Sequence, residues 1–283
     1  MKDKIIDGKY HSNQVLEDVA RQVATIKSEG KRVPCLVVIL VGEDPASQVY
    51  VRNKKNACDK VGVSSVEYKL PQETTQQELE DLIHKLNQDI TVDGILVQMP
   101  LPQHIDAQYI LDKIDYHKDV DGFHKYNVGA LATNSLLVAP CTPHGVMYLL
   151  DSLGVNYAGK HAVIVGASNI VGRPMGLELL NRGATITICH SKTIDLASHT
   201  RRADILVVAV GRANIITGDM LQQGAIVIDV GINRLASGKL VGDVDFASCE
   251  PVASHITPVP GGVGPMTIAM LLQNTLTCYK LSI

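Results

Sequence analysis

The chain has 283 residues, of which 46% are hydrophobic, and it contains two phenylalanines and no tryptophan. This length suits two domains or one large α/β domain with a core of aliphatic side chains. The formal net charge of −3, with Lys and Arg spread along the chain, predicts no nucleic-acid surface, and the longest apolar runs are too short to span a bilayer.

The N-terminus and the cysteines indicate a cytoplasmic protein. The opening segment "MKDKIIDGKY" lacks the apolar core of a signal peptide. The six cysteines form no C-x-x-C pair and have no tight spacing with histidine, which favours reduced thiols in the core. None of the ten histidines belongs to a metal-binding pattern, so we expect no bound metal.

The first half of the chain alternates predicted helices and strands. The first helix is expected from about Ser12, a good N-cap residue, to Ser28, followed by the strand "CLVVILV". Asp44 and Pro45 fit the start of a second helix. A strand near "SSVEYKL", a helix from Thr75 to Asn87 and the short strand "GILVQ" follow, and the prolines of "MPLPQH" break this pattern.

A second series of elements begins at a junction near Ala139 to Pro143. It contains the helix "PHGVMYLLDSL", the strand "HAVIVG", a helix from about Val171 to Arg182 and the strand "TITIC". The runs "ILVVAVG" and "AIVIDVG" are unbroken and aliphatic, which is typical of parallel strands covered on both faces. With a long final helix, about Pro265 to Leu281, the pattern predicts two α/β units.

The segment "VIVGASNIVGRP" is a candidate dinucleotide-binding loop, because it follows a strand and opens a helix. It departs from G-x-G-x-x-G, since Ser168 replaces the second glycine and the next one is Gly172. The backbone at Gly166 and the amides leading into the helix are still suited to a pyrophosphate. An ordinary turn between a strand and a helix fits this segment equally well.

The ends of the following strands favour NADP as the cofactor. NAD sites usually place Asp or Glu after the second strand, whereas "TICHSKT" offers His190, Ser191 and Lys192. A hydroxyl and a cation suit a 2′-phosphate, and a solvated loop lysine is the alternative. Two later strand ends supply Gly211 and, in "DVGIN", Ile232 for the nicotinamide side, although strand-end glycines are also common in plain turns.

The second predicted helix carries Ser47, Tyr50 and Lys54 on one face, together with Val51 and Cys58. Such a face is expected to be at least partly buried. Burial of an ammonium group costs free energy, because the group loses its hydration. The Y-x-x-x-K spacing also marks the short-chain dehydrogenases, but their glycine loop precedes the tyrosine. The reversed order in this chain excludes that family and leaves a lysine with its stem along an amphipathic helix as the alternative.

Seven sequence blocks resemble one family over nearly the whole chain, from about Ile5 to the last helix. In order they are "PASQVYVRNK", "DGILVQMPLP", "KDVDGFH", "PCTPHG", "GASNIVGRPMG", "GDVDF" and "TPVPGGVGPMT". Together they closely resemble the bifunctional methylenetetrahydrofolate dehydrogenase/methenyltetrahydrofolate cyclohydrolase family. The departure that we notice is Met99, where many members have Leu.

The resemblance implies a two-step reaction. NADP would oxidise 5,10-methylenetetrahydrofolate to the methenyl cation, which water would convert to 10-formyltetrahydrofolate. Lys54 is then the expected acid/base group, Gln98 its hydrogen-bond partner and Tyr50 the ring that packs on the pterin, with Ser47 in support. Asp121 is expected to bind the amino-pyrimidine edge, although the spacing of Asp119 and Asp121 also fits a pair that caps turns.

The resemblance also implies two α/β domains with a cleft between them. Residues 1–140 are expected to form a folate-binding catalytic domain on which the last helix, about 268–283, packs, and residues 141–267 a Rossmann-like NADP-binding domain. Pro260, Gly261 and Gly262 are expected to line the folate site, with a simple glycine-rich linker as the alternative. The expected cofactor contacts are Gly166, Ala167, Ser168, Arg173, Ser191, Lys192, Gly211 and Ile232.

By the same resemblance, the substrates are one-carbon derivatives of tetrahydrofolate, and the product serves purine biosynthesis. A homodimer formed through the NADP-binding domains is expected. A second class stays open, namely a folate- or nucleotide-binding regulatory protein that has kept the fold and lost turnover. The complete set of Ser47, Tyr50, Lys54, Gln98 and Asp121 argues against it, because a binding module has no need of the lysine.

Overall fold

The computed structural model describes residues 4–283, which divide into two compact units. The first unit comprises residues 13–141 and 268–283, and the second comprises the residues up to Ser12 together with 142–267. The described residues before Asn13 group with the second unit because Ile5 forms a parallel bridge with Ile256, and the Ile6 amide donates to the Ile256 carbonyl at 3.0 Å. The sequence analysis had assigned them to the first domain.

The elements as far as the third strand follow the predicted alternation of helices and strands, whereas the two helices after that strand were not predicted. In chain order, all these elements are α1 (Gly8–Ser28), β1 (Cys35–Val41), α2 (Pro45–Val61), β2 (Ser64–Leu70), α3 (Gln76–Gln88), β3 (Gly94–Val97), α4 (Ala107–Leu111) and α5 (Lys125–Ala132). Helix α1 begins four residues before the expected start because Asp7, and not Ser12, caps it: the Asp7 carboxylate accepts from the Tyr10 amide at 2.9 Å. Ser12 lies inside the helix, where its hydroxyl donates to the Lys9 carbonyl.

The remaining elements carry the second series of strands. They are α6 (Cys141–Ser152), β4 (His161–Val165), α7 (Gly172–Asn181), β5 (Thr185–Cys189), α8 (Leu196–Thr200), β6 (Ile205–Val208), β7 (Ile226–Asp229), β8 (Asn233–Arg234), β9 (Leu240–Val241), α9 (Phe246–Cys249), β10 (His255–Ile256) and α10 (Val263–Ser282). The short elements α8, α9 and β8 to β10 were not predicted. No helix among residues 4–283 has both the length and the apolar character that a membrane span requires.

The first unit is built on a parallel sheet of order β2-β1-β3. The central strand β1 is buried at six of its seven positions, and its side chains pack with those of α3, such as Leu79 and Ile83. A further parallel bridge joins Ile95 of β3 to Asp119. The segment that carries Asp121 is therefore fixed beside the strand that ends next to Gln98.

The second unit contains a parallel sheet of order β10-β7-β6-β4-β5. The chain runs outward from β4 to β5 in one direction and from β6 to β7 in the other, so the strand order reverses between β4 and β6. In open parallel sheets, ligands bind beyond the carboxyl ends of the strands at such a reversal. Strands β4 and β6 are almost wholly buried, as their unbroken aliphatic sequences predict.

A buried carboxylate ties the C-terminal helix into the first unit. Asp93, which is 1% exposed, accepts two hydrogen bonds from the Arg32 guanidinium, at 2.6 and 2.8 Å. It also accepts from the Cys35 amide at 2.8 Å and from the Ser282 hydroxyl at 3.1 Å. The Arg32 guanidinium lies 5.0 Å from the centre of the Tyr279 ring, so one charge cluster links the start of β1, the start of β3 and the end of α10.

Replacing Asp93 is expected to destabilise the fold strongly. Asp93→Ala leaves a guanidinium and a backbone amide without their acceptor, and we expect the free energy of unfolding to fall by about 2–4 kcal/mol. Urea unfolding at pH 7 measures this change. Asp18→Ala is the matched control, because the Asp18–Arg21 pair is exposed and should contribute less than about 1 kcal/mol. Equal losses in the two variants would contradict the assignment.

Candidate functional site

Lys54 lies in a buried stripe of α2. Asp44 caps this helix, since its carboxylate accepts from the Ser47 amide at 2.8 Å, and Pro45 occupies the first turn. The residues that share the stripe and are buried are Ser47, Val51, Lys54, Cys58 and Val61. The sequence expectation of an apolar, buried face is therefore correct for the lysine, whose side chain does not reach out to solvent.

Tyr50 differs from its neighbours on α2, because 41% of it is exposed. It follows Ser47 by three positions and precedes Lys54 by four, which places it beside the buried stripe but at its margin. Its ring is thus open to solvent next to a buried ammonium group. An exposed aromatic ring in this place is available for stacking on a planar ligand.

The Lys54 ammonium donates a hydrogen bond to Gln98 Oε1 at 3.0 Å. The Gln98 side chain is held by its own Nε2, which donates to the Met99 carbonyl at 2.7 Å, and its backbone amide donates to the Ile39 carbonyl at 2.8 Å. The Ser47 hydroxyl donates to the same Met99 carbonyl at 3.4 Å. The end of β3 therefore orients an amide oxygen toward the lysine, and no other acceptor for Lys54 is found among residues 4–283.

Two aspartates follow β3, and the structure separates their roles. Asp119, which is 1% exposed, accepts from the Gly122 and His124 amides and from Asn127 Nδ2 at 2.8 to 3.1 Å. It is the residue that caps the turn. Among the described residues no backbone amide donates to the Asp121 carboxylate, which is partly buried and has a side-chain hydrogen bond with Cys141. Most of its acceptor capacity is therefore left for a ligand.

Burial shifts the pKa values of Lys54 and Asp121 in opposite directions, and the charge of each group partly offsets the shift of the other. Burial lowers the pKa of Lys54, and the negative charge of Asp121 partly offsets this. Burial also raises the pKa of Asp121 to about 6, although the Lys54 charge pulls it down. A lysine with a lowered pKa beside a carboxylate with a raised pKa is an arrangement suited to proton transfer near neutral pH.

Hydrogen bonds from α10 and from the start of α6 also fix the segment that carries Asp121. Asn274 of α10 donates to the carbonyls of Val120 and Ala139 at 2.9 and 2.8 Å. The Cys141 thiol donates to the same Val120 carbonyl at 3.2 Å. The residue before Asp121 is therefore held by α10 and by the start of α6. Sequence reasoning missed Asn274, because a lone asparagine in an apolar helix gives no distinctive signal.

In the second unit, the candidate dinucleotide loop brings the end of β4 close to α7. Gly166 has φ +127°, and a Cβ there would collide with the Ala209 carbonyl. A Cβ at Gly172 would collide with the Gly166 carbonyl, so both glycines permit close packing of strand and helix. The Ser168 hydroxyl accepts from the Val171 and Gly172 amides at 3.2 and 3.4 Å, so it satisfies two amides at the entry to α7.

The other predicted cofactor residues lie along the carboxyl edge of the same sheet. Strand β5 neighbours β4, and the Gly166 amide donates to the Cys189 carbonyl at 2.9 Å, so the exposed pair Ser191 and Lys192 follows directly. Arg173 is exposed, and its Nε donates to the Ala167 carbonyl at 3.2 Å. Gly211 and Ile232 follow β6 and β7.

Strands β4 to β7 of this sheet are each followed by an exposed aliphatic residue. These residues are Ile170 after β4, Ile194 after β5, Val210 after β6 and Ile232 after β7, with exposures from 38% to 87%. Ligands of open parallel sheets bind beyond the carboxyl ends of the strands, where these residues lie. Together with the exposed Ser191 and Lys192, this edge fits a dinucleotide that carries a 2′-phosphate.

The loop at Pro260, Gly261 and Gly262 packs on its own unit. Gly261 has φ +105°, its carbonyl accepts from the Lys9 amide at 3.1 Å, and Pro260 is exposed. A Cβ at Gly8 would collide with the Gly262 carbonyl, so the backbone of this loop lies against the start of α1. Close packing of two backbone segments therefore accounts for part of the glycine content that the sequence assigned to a ligand.

Comparison with known proteins agrees with this geometry. Residues 6–121 match the model of the tetrahydrofolate dehydrogenase/cyclohydrolase catalytic domain, and residues 140–283 match the NAD(P)-binding domain of the same family. The bifunctional protein FolD of Neisseria gonorrhoeae (strain NCCP11945) is 56% identical over 281 residues, which cover 99% of both chains.

Solved structures are similar over the same length. The bifunctional FolD methylenetetrahydrofolate dehydrogenase/cyclohydrolase of Campylobacter jejuni is 53% identical, with a TM-score of 0.96 and 99% of both chains covered. The FolD of Trypanosoma brucei, solved with NADP cofactor and an inhibitor, is 39% identical with a TM-score of 0.94. The similarity covers 98% of this chain and 97% of the trypanosomal chain.

Removing the Lys54 charge is expected to raise the pKa of Asp121 above its value of about 6, because the lysine charge is the larger of the two influences that lower it, the other being a hydrogen bond with Cys141. The test is an NMR titration of the Asp121 carboxyl carbon in Lys54→Met. Lys55→Met is the control, since Lys55 is exposed on the same helix and should leave that titration unchanged. An unchanged or lowered Asp121 pKa in Lys54→Met would show that the two groups are not coupled.

Proposed function

Because the chain belongs to the tetrahydrofolate dehydrogenase/cyclohydrolase family, we propose that it oxidises 5,10-methylenetetrahydrofolate with NADP and then hydrolyses the methenyl product. The end product is 10-formyltetrahydrofolate. The observation that carries the proposal is the buried Lys54, whose pKa is lowered and whose single described acceptor is Gln98. The unit of residues 13–141 and 268–283 is proposed to bind the folate, and the unit that contains residues 142–267 to bind NADP.

The oxidation step depends mainly on the correct placement of the folate against NADP. The lone pair of a folate nitrogen drives departure of the hydride, so no side chain has to remove a proton from carbon. NADP, when bound, supplies the hydride acceptor. The residues proposed to hold it are Gly166, Ala167, Ser168 and Arg173 for the pyrophosphate, Ser191 and Lys192 for the 2′-phosphate, and Gly211 and Ile232 for the nicotinamide side. This arrangement contributes through orientation rather than acid/base chemistry.

The hydrolysis step needs a group that accepts and returns a proton. Neutral Lys54 accepts a proton from the water that adds to the amidinium carbon, and the ammonium then gives a proton to a ring nitrogen as the carbon–nitrogen bond breaks. Burial lowers the pKa of Lys54 toward this task. The Gln98 oxygen holds the ammonium form, and Ser47 fixes the turn that carries Gln98 through the Met99 carbonyl.

Two further side chains position the pterin. The exposed ring of Tyr50 stacks on it, and the Asp121 carboxylate accepts hydrogen bonds from its amino-pyrimidine edge. The pKa of Asp121, about 6, leaves this carboxylate mostly ionised at pH 7. Pro260, Gly261 and Gly262 are the proposed substrate loop. We further propose a homodimer formed through the NADP-binding domains, a cytoplasmic location and supply of the formyl group for purine biosynthesis.

Lys54→Met tests the hydrolysis step. The variant keeps an apolar stem in the stripe of α2 and removes the proton-transfer group, so methenyltetrahydrofolate hydrolysis should fall by roughly two to four orders of magnitude. The dehydrogenase rate should fall less. Absorbance assays of both steps and a thermal unfolding curve measure the effects, with Lys55→Met as the matched control. Wild-type hydrolysis by a folded Lys54→Met protein would refute the role of Lys54.

Lys192→Ala tests the choice of cofactor. Loss of a charged hydrogen-bond donor to the 2′-phosphate should lower kcat/KM for NADP by about 10- to 100-fold, while kcat/KM for NAD stays unchanged. Lys239→Ala, an exposed lysine between β8 and β9, is the control. Equal effects on NADP and NAD, or none on either, would place the 2′-phosphate elsewhere. A wild-type chain that reduces neither cofactor would instead support a binding protein without turnover.

A further inference from the structure

Two buried carboxylates lie where β6 and β7 end, and sequence reasoning gave neither a role. Asp243 is 0% exposed and Asp229 is 4% exposed. Neither forms an ion pair with Lys, Arg or His among residues 4–283. Two carboxylates that are buried without a cation are costly, so their stability depends on the hydrogen-bond donors that surround them.

Asp243 is surrounded by donors from two different loops. It accepts from three consecutive backbone amides, those of Val210, Gly211 and Arg212, at 2.7, 2.9 and 2.8 Å. It also accepts from Asn233 Nδ2 at 2.8 Å. Gly211 has φ +66°, and successive amides around such a left-handed residue form a concave anion site of the kind that binds phosphate in other proteins. In this chain, the site after β6 is filled by the protein's own carboxylate.

Asp229 holds the segment that carries Asp243. It accepts from the amides of Asp243 and Val244, both at 2.9 Å, and from the Gly231 amide at 3.0 Å. The two carboxylates also need two glycines in reciprocal places. A Cβ at Gly231 would collide with the Asp243 carboxylate, and a Cβ at Gly242 would collide with the Asp229 carboxylate. "DVG" and "GD" are therefore two halves of one interlocked structure.

The interlock connects the loops after β6 and β7 through carboxylate oxygens rather than through apolar packing. Val210 and Ile232, which these loops expose, are 38% and 46% exposed. Asp243 accepts from the amide of Val210 itself and from Asn233, which follows Ile232. Removing the carboxylate would free three amides of one loop and the Asn233 side chain of the other. Burial raises the pKa of Asp229 to about 6, with the Asp243 charge acting in the same direction, as expected for two carboxylates close together.

We propose that Asp243 is a positioning residue for the dehydrogenase reaction: its carboxylate fills the amide site after β6 and sets the relative position of the loops at Gly211 and Ile232. It touches neither substrate nor cofactor. The inference rests on the proposed placement of the nicotinamide side at these two loops. Hydride transfer is sensitive to small displacements of the reacting groups, whereas the proposed hydrolysis groups all belong to the first unit.

Asp243→Ala provides the test, with Asp204→Ala as the matched control. Asp204 accepts from the His161 amide at 2.8 Å, and it precedes β6 at the opposite edge of the same sheet. We expect Asp243→Ala to lower dehydrogenase kcat and to raise KM for NADP, with kcat/KM reduced by about 10- to 100-fold. Methenyltetrahydrofolate hydrolysis should stay within about twofold. Asp204→Ala should lower the thermal midpoint without changing either rate.

Formate supplies a readout that loss of stability would not give. At constant ionic strength, formate should restore dehydrogenase activity to Asp243→Ala by entering the vacated amide site, and neutral formamide should not. No rescue by formate, unchanged dehydrogenase kinetics, or an equal loss of hydrolysis would each overturn the proposal. If Asp243→Ala does not fold, Asp243→Asn replaces it, because asparagine has nearly the same shape as aspartate and lacks the negative charge. Wild-type kcat/KM for NADP in Asp243→Asn would overturn the proposal.

Lys192→Ala, measured in parallel, separates this inference from the cofactor placement on which it rests. Loss of NADP selectivity in Lys192→Ala together with wild-type kinetics in Asp243→Ala would leave the placement intact and overturn only the role of Asp243. Wild-type kinetics in both variants would overturn both.

Discussion

The burial of one ammonium group is the constraint on which the first unit depends. Lys54 is 8% exposed, and a charge in such a place is costly unless it is paired or its pKa shifts. In this structure the Gln98 oxygen accepts one hydrogen bond from the Lys54 ammonium, and burial lowers the pKa of Lys54. The register of β1 with β3 places Gln98, and the bridge between Ile95 and Asp119 places Asp121.

The second unit relies on backbone amides in place of side-chain cations. The Ser168 hydroxyl accepts from the Val171 and Gly172 amides at the entry to α7, and the Asp243 carboxylate accepts from three amides after β6. The loops at the carboxyl edge are therefore fixed before any ligand arrives. The residues that stay exposed at this edge include an aliphatic residue after each of the strands β4 to β7, together with Ser191 and Lys192. Because these loops are already ordered, the protein loses less conformational entropy when it binds a dinucleotide.

The sequence predicted the long, periodic elements well and the short ones poorly. The strand "CLVVILV" and the helix opened by Asp44 occur as expected, because burial and capping signals are local. Helices α4 and α8 have five residues each, too few for a periodic signal. The exposure of Tyr50 and the interlock of Asp229 with Asp243 depend on neighbours distant in sequence. Spacing likewise did not separate Asp119 from Asp121, which hydrogen-bond geometry does.

The central claim is that α2 buries a lysine whose pKa is lowered so that it can exchange a proton near neutral pH. An NMR titration of the Lys54 side-chain nitrogen in the full chain tests it most directly, with Lys54→Met used to assign the signal. The account predicts a pKa below the ordinary value of 10.5 for Lys54. A Lys54 pKa at or above the ordinary value would contradict the account, since the group would then remain an ammonium throughout the physiological range.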